Sequence, residues 1–353
     1  MDLQEFFGGM SMARRPTIRD VAREAQVSVS TVDRALNGRV AVREDTLKKI
    51  ATAAHRVGYH ARGLFDHRLV ETVPEMRLGF VLLKERQEFY RNFHAEIERA
   101  VATRADIRGK AEIRYAQSQS PEEFADILHA LGRSCDAVAA IAVNDRRLDQ
   151  VVEALKREGV ATFSLLNDFA QGIRSNYIGL NNMKVGRQAA WMITQTCPVP
   201  GKLAIFVGGN RWHGHDLREV GFRAFARERA PTFPVLDTLV NLETRQLTYE
   251  ATLDLLTRHA DLRGIYVAGG GMEGAIAALR EARAPGEVAL VVNEVTQESR
   301  AALLDGYLRM IISTPLAELC DDVVRLMVRT RSGDDGTIGQ HFLDPRIILP
   351  EIA

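Results

Sequence analysis

Val29, Ser30 and Arg34 are the side chains whose type and spacing point most directly to chemistry: an apolar group, a hydroxyl and a guanidinium on the outer side of one short helix. Such a set suits base-pair edges, where a side chain must be short enough to approach and able to donate, accept or touch a methyl. The segment VSVSTVDRALNG carries them, with Ser28 as N-cap, Val32, Ala35 and Leu36 turned inward, and Val29, Ser30, Asp33 and Arg34 turned out. Asn37-Gly38 then breaks the helix. Ahead of it Thr17 caps IRDVAREA, which keeps Ile18, Val21, Ala22 and Ala25 on one face and ends near Gln26. Two short helices joined by so tight a turn make a helix-turn-helix, whose second member enters the major groove. A third helix, about Glu44 to Val57, lends Leu47, Ile50, Ala51, Ala54 and Val57 to hold the pair.

Charge agrees with that placement. The 353-residue chain has a formal net charge of zero, yet Ala13 to Val70 holds twelve Arg and Lys against six acids, a surplus of six. A basic head gains affinity for phosphates through counterion release. Hydrophobic residues make up 46% and charged residues 26%, with no apolar run able to span a bilayer. MDLQEFFGGMSMARR lacks the pattern of a secretory signal, and residues 1–12 read as a flexible leader. Cys135, Cys197 and Cys320 lie far apart, without CxxC or His at metal spacing, which favours a reducing cytoplasm and no metal.

Behind the head, short apolar strands alternate with amphipathic helices: RLGFVLL, a helix near Phe93–Thr103, AEIRYA, a helix near Pro121–Leu131, AVAAIAV, a helix near Leu148–Glu158, then ATFSLL. The pattern restarts at KLAIFVG and runs through VLDTLVN, GIYVAG and VALVVN with helices between. The expected fold is an all-α helix-turn-helix head followed by an α/β two-lobed body of two doubly wound parallel sheets. Such sheets hold ligands outside the carboxyl ends of their strands, here in the cleft between lobes.

TIRDVAREAQVSVSTVDRALNG resembles the head of the lactose-repressor (LacI/GalR) family, with its T-x-x-D-V-A-x-x-A-x-V-S-x-x-T-V-x-R-x-L-N pattern. The resemblance implies Val29 and Ser30 as main base readers, Arg34 as a base or phosphate contact, and Thr17, Thr31 and Asn37 as backbone-positioning groups. It also implies a hinge helix whose leucine wedges into the minor groove. Here Ala61 and Arg62 replace the usual Pro-Asn and the wedge position falls at Arg68, leaving Leu64 and Leu69 as candidates either for that wedge or for packing on the body.

The body is similar to the periplasmic sugar-binding fold that this family carries behind its head. The implied division is 13–60 for the head, 61–75 for the hinge, and 76–353 for an effector-binding and dimerising body, with lobe crossings near Gly179–Leu180, Ser313–Pro315 and Asp334–Ile338. Lobe 1 would take 76–179 and 316–334, and lobe 2 would take 180–312 and 335–353. No leucine heptads follow Pro350, so a homodimer is expected. By family position the effector residues are Phe89, Tyr90, Phe93, Asn144, Asp168, Arg218 and Glu294, the types a sugar ring demands: carboxylates and amides at its edge, aromatic faces above and below. Trp212, His213 and His215 are candidates for a cleft wall. Relatives place an Asn-Asp pair where this chain has Gly269-Gly270, so the effector is held differently.

The expected activity is that of a cytoplasmic repressor of sugar uptake or catabolism genes, binding a palindromic operator and controlled by a monosaccharide or polyol, with no cofactor and no membrane contact. One alternative is a family member answering to a protein partner or a non-sugar ligand. Another is a nucleotide-binding oxidoreductase, because Gly269, Gly271 and Gly274 satisfy G-x-G-x-x-G after a strand, with Glu294 twenty residues on. No hydride-transfer partner or nucleophile–base pair accompanies that turn.

Overall fold

The computed structural model describes residues 15–38, 42–331 and 339–352. The expected leader and the expected third crossing, Asp334–Ile338, lie outside those residues. The chain forms two compact units, one running to Glu75 with Ala105–Arg108, the other comprising Met76–Arg104 and the chain from Gly109 onward.

The first unit is helical: α1 (Ile18–Ala25), α2 (Val29–Asn37), α3 (Glu44–Val57) and α4 (Arg62–Thr72). The Asp20 carboxylate closes the start of α1, accepting from the Thr17 backbone N–H at 2.8 Å and hydroxyl at 2.7 Å. Ser28 caps α2 by accepting from the Thr31 N–H. Val21, Ala22, Val32, Ala35, Leu47, Ile50 and Ala54 form a dry core between the first three helices.

Helix α4 differs from the expected hinge. Phe65 is fully buried in the same core, against Tyr59 at 6.1 Å between ring centroids, and Leu69 packs on it. His55 and Asp66 pair at 2.8 Å across α3 and α4. A Cβ on Gly38, the left-handed C-cap of α2, would lie 2.5 Å from the guanidinium carbon of Arg68. Residues 61–72 therefore extend the head, and Leu69 is spent on its core. Of the two wedge candidates, Leu64 stays exposed, at 53%. The reason is one aromatic residue: Phe65 gives α4 an apolar side to bury on the head.

The second unit begins with β1 (Glu75–Leu83), α5 (Glu88–Ala102), β2 (Arg108–Ala116), α6 (Pro121–Gly132), β3 (Ala137–Ala140), α7 (Arg146–Arg157), β4 (Ala161–Leu165) and β5 (Asn176–Leu180). It continues with α8 (Asn182–Thr196), β6 (Lys202–Val207), α9 (His213–Arg229), β7 (Leu239–Val240), α10 (Arg245–Arg258), β8 (Leu262–Val267), α11 (Met272–Ala282), β9 (Ala289–Asn293), α12 (Gln297–Leu304) and β10 (Leu308–Ser313). Then come α13 (Leu316–Thr330), β11 (Gly339–Leu343) and β12 (Arg346–Ile348). One sheet has the order β11-β5-β4-β3-β1-β2, the other β12-β10-β9-β8-β6-β7. Both reverse direction of winding beside their first strand, at β1/β3 and β6/β8, and there a crevice opens at the carboxyl ends.

The chain leaves the first lobe after β5 and returns after β10, since α13 packs on β3, β4 and β5. Strand β11 still pairs in parallel with β5, Gly339 opposite Asn176, and only β12 joins the second sheet, antiparallel to β10. The second lobe's last share thus starts at β12 rather than at residue 335. The expected strand VLDTLVN shrinks to Leu239–Val240 and an isolated bridge at Val235, because Arg223 of α9 donates to the Leu236 carbonyl and to the Thr238 hydroxyl.

Candidate functional site

A cavity of about 480 Å³ lies between the lobes, within the roughly 300–1,000 Å³ of small-ligand sites. It is built from strand ends. Lys84 follows β1, Leu166 follows β4, Glu243 follows β7 and Glu294 follows β9, and all four line it with positive φ, 43°, 60°, 54° and 68°. Non-glycine residues enter this region at a cost of order 1–3 kcal/mol, and they cluster where backbone strain aims a side chain at a ligand.

Glu243 sits at the centre of the constellation. Its carboxylate accepts from Lys84 Nζ at 3.0 Å, Gln119 Nε2 at 3.3 Å and the Gly270 N–H at 3.2 Å. Trp212 Nε1 donates to Gln119 Oε1 at 3.0 Å. Lys84 and Gln119 come from the first lobe, Glu243 and Trp212 from the second, so this network bridges the cleft. Burial, the largest single influence, would raise the Glu243 carboxyl, but its neighbours together, the Lys84 ammonium first among them, outweigh it and hold the group below its usual range.

The glycines opposite explain the lost Asn-Asp pair. A Cβ on Gly269 would meet His215 Cε1 at 2.4 Å, and one on Gly270 would meet Glu243 Cβ at 2.9 Å. Glu243 and His215 fill the space that larger side chains at 269 and 270 would need. Gly271, at φ 92°, starts α11, and a Cβ on Gly274 would strike the Arg245 carbonyl at 2.1 Å. These glycines thus have a steric account in helix packing and in the niche for Glu243.

His215 Nδ1 accepts from the Gly208 N–H at 3.2 Å, while its Nε2 lies 3.9 Å from Glu243. Burial, aided by Arg218 and Lys84, drives its pKa down to about 4 despite the Glu243 charge. A histidine that is neutral when folded but has a pKa near 6.5 when unfolded loses stability for the fold as pH falls from about 6.5 toward 4, because only the unfolded chain takes up the proton. Urea unfolding of the wild type across that window should show stability falling with pH, and a His215→Phe variant should lose that part of the slope; an unchanged slope would count against the buried neutral imidazole.

Of the seven effector positions named from the sequence, four line the cavity: Phe89, Tyr90, Arg218 and Glu294. Arg218 is held by Asn182 Oδ1 at 2.7 Å and the Ala268 carbonyl. Glu294 accepts from the Thr314 hydroxyl at 2.6 Å, the Thr314 N–H at 3.0 Å and the Ser313 hydroxyl at 3.2 Å, and burial nevertheless raises its pKa. Burial and the charges of Glu243 and Glu294 raise that of the Tyr90 hydroxyl. The other three are placed elsewhere. Phe93 is fully buried in the core beneath Phe89. Asn144 is exposed, its backbone N–H donating to the Arg211 carbonyl. Asp168 is buried away from the cavity, where Arg174 grips both its oxygens at 2.6 and 2.8 Å.

Its neighbour Asn167 lines the cavity instead, holding the Ala142 carbonyl and the Gly214 N–H. Trp212 and His215 line it too; His213 does not. Lys84, Asn167, Glu243 and Asn293 are among the site residues that spacing did not single out.

On the head, Val29, Ser30 and Arg34 share the exposed side of α2, opposite Val32 and Ala35. Arg34 donates to the Ser30 carbonyl and to the Thr31 hydroxyl, both at 3.3 Å. Asn37 donates to Asp33 at 2.9 Å.

Residues 17–61 match the family described as bacterial regulatory proteins, lacI family, and residues 78–335 match the periplasmic binding protein domain. The body thus belongs to the periplasmic binding protein domain family, and the head matches the lacI family of bacterial regulatory proteins. The chain's LacI-type head precedes a periplasmic-binding-protein body that makes up most of its length. Among its relatives, catabolite control protein A of Priestia megaterium is 30% identical over 149 residues, 41% of each chain. The regulator GalS of Salmonella typhimurium is 26% identical over 182 residues, 50% of each chain. The matched segments thus cover at most half of these relatives. A solute-binding protein of Burkholderia graminis in complex with D-arabinose superposes with a TM-score of 0.73 at 19% identity, covering 79% of this chain and 96% of that one. That likeness establishes the fold of the body. Among the described residues no helix is long and apolar enough to cross a membrane.

Proposed function

We propose that this chain is a cytoplasmic, ligand-responsive transcriptional regulator, a repressor that binds a palindromic operator as a homodimer and is controlled by a monosaccharide or related polyol in its cleft. The observation that carries the reading is the union in one chain of a LacI-type head and a binding-protein body whose cleft holds convergent polar groups. Val29, Ser30 and Arg34 read bases; Thr17, Thr31 and Asn37 support the backbone; Leu64 is the wedge candidate left exposed. In the cleft Arg218, Glu294, Asn167 and Asn293 address hydroxyls, and Phe89 and Tyr90 face the apolar side of the ligand. The chemistry is that of binding: Glu243 is engaged with Lys84, Glu294 with the Thr314 and Ser313 hydroxyls, and Glu88 with the Gln297 N–H.

Fluorescence anisotropy with the DNA upstream of its own coding region, against a scrambled duplex at fixed salt, tests the head. Arg34→Ala should cut the preference for the upstream DNA by about 5- to 150-fold, corresponding to the 1–3 kcal/mol of a base contact. Unchanged discrimination in that variant would displace Arg34 from the reading surface. Calorimetric titration of the protein with monosaccharides and polyols tests the cleft.

A further inference from the structure

The cavity is ringed by helix starts. Helices α5, α11 and α12 begin at Glu88, Met272 and Gln297, all of which line it. Free helix N-termini attract phosphate or carboxylate through unpaired N–H groups and the positive end of the helix dipole. In this cavity each start already carries an acid of the protein's own: Glu88 in α5, Glu273 in α11 and Glu298 in α12. The Glu88 carboxylate lies on the first N–H of α12, accepting from Gln297 at 3.0 Å, the place a ligand anion would take.

The cavity's cations do not restore an anion site. With Glu243 and Glu294, five carboxylates line the cavity against Lys84 and Arg218; Arg245 lies 3.7 Å from Glu298, burial raises the pKa of Glu273 and Glu294, and burial keeps His215 neutral. Lys84 is committed to Glu243. One buried group nevertheless asks for a partner: Asn293, 4% exposed and lining the cavity, gives its Oδ1 to the Tyr266 hydroxyl, while its Nδ2 has no hydrogen-bond partner among the described residues. An amide N–H is satisfied by a hydroxyl or ether oxygen, with no charge required.

We propose that the ligand is an uncharged polyol, and that Glu88, Glu273 and Glu298 determine specificity by excluding its phosphorylated and carboxylated counterparts. This rests on the polyol-sensor reading above and narrows it. An incoming anion would meet like charge where other helix-start sites offer N–H groups, and like-charge juxtaposition in a water-poor site is strongly unfavourable.

The test is calorimetric titration of the full chain with D-glucose and D-galactose, each beside its terminal phosphate ester and its uronic acid, and with D-arabinose beside its phosphate. At least one free sugar should bind, with its anionic forms weaker on the order of tenfold or more. A Glu273→Gln, Glu298→Gln double variant, checked for an unchanged melting profile, should narrow that gap on the order of tenfold while keeping its affinity for the free sugar. An anionic form binding as tightly as its parent, or a gap unmoved in the double variant, overturns the exclusion and leaves the sensor reading standing. Silence from every compound removes the polyol reading itself, and this inference with it.

Discussion

Arg174→Ala should lower the stability of the two-lobed unit by about 3–5 kcal/mol, because it strands the Asp168 carboxylate in the interior without its countercharge. Both side chains are nearly inaccessible, 4% and 5% exposed, and the guanidinium also donates to the Gly339 carbonyl, tying β11 to the loop after β4. Among the described residues, Ser164 and Gln340 would remain as donors to Asp168. Burial works to raise the Asp168 pKa, but Arg174, Gln340 and Ser164 carry it below its usual value. The sign of the pH dependence follows. A carboxylate whose folded pKa is depressed contributes stability above its unfolded pKa, near 4, and that contribution disappears as pH falls through the folded value. Urea unfolding at neutral pH and again near pH 3 checks both parts: the gap between wild type and variant should be wide at neutrality and narrow in acid. A loss under 1 kcal/mol at neutrality would show that the pair is not the buried anchor described.

Phe65→Ala should destabilise the head by about 3–5 kcal/mol, the range for removing a fully buried phenyl ring from a packed core. The effect should be confined to the head, since Phe65 is part of the head's own core cluster. Two-probe unfolding distinguishes this from general damage: the cooperative transition of the large α/β unit should hold its midpoint, while an earlier helical transition appears or moves to lower denaturant. Because the ring joins α4 to the core, upstream-DNA binding should weaken with it, whereas calorimetric sugar binding should not. Equal stability in the variant would return residues 61–72 to the status of a separate hinge.

Much of this was legible from periodicity. Val21, Ala22, Val32 and Ala35 recur at helical spacing, and a basic surplus beside them leaves few readings. The strand ends were harder. Asp168 was expected in the cleft and Asn167 was not, yet Leu166 turns into the left-handed region, so Asn167 faces the cavity and Asp168 turns back to Arg174. One backbone dihedral moves the functional side chain by one position, and residue spacing does not register it. Phe93 follows the same logic one helical turn from Phe89: both lie on α5, but only Phe89 reaches the cavity.

Glu243 escaped because it lies two residues beyond the apolar run VLDTLVN, past Leu242, and both residues turn into the left-handed region. A signal did exist in the glycines at 208, 269 and 270, whose missing side chains open the niche for Glu243 and His215. It read as a loss of ligand contacts rather than as room for another carboxylate. In the hinge, the absence of Pro-Asn was plain in the sequence. That Phe65 would then fold α4 onto the head depends on a core contact that only the three-dimensional packing reveals.

The claim on which the account rests is that occupancy of the cleft sets the affinity of the head for DNA. The direct measurement is anisotropy of labelled upstream DNA titrated with the protein at constant salt, without sugar and then with a saturating amount of whichever sugar binds by calorimetry. The DNA dissociation constant should change by about tenfold or more, a coupling of at least ~1.4 kcal/mol. A sugar that fills the cleft yet leaves the DNA affinity unmoved would contradict it, because a ligand with equal affinity for both states shifts neither.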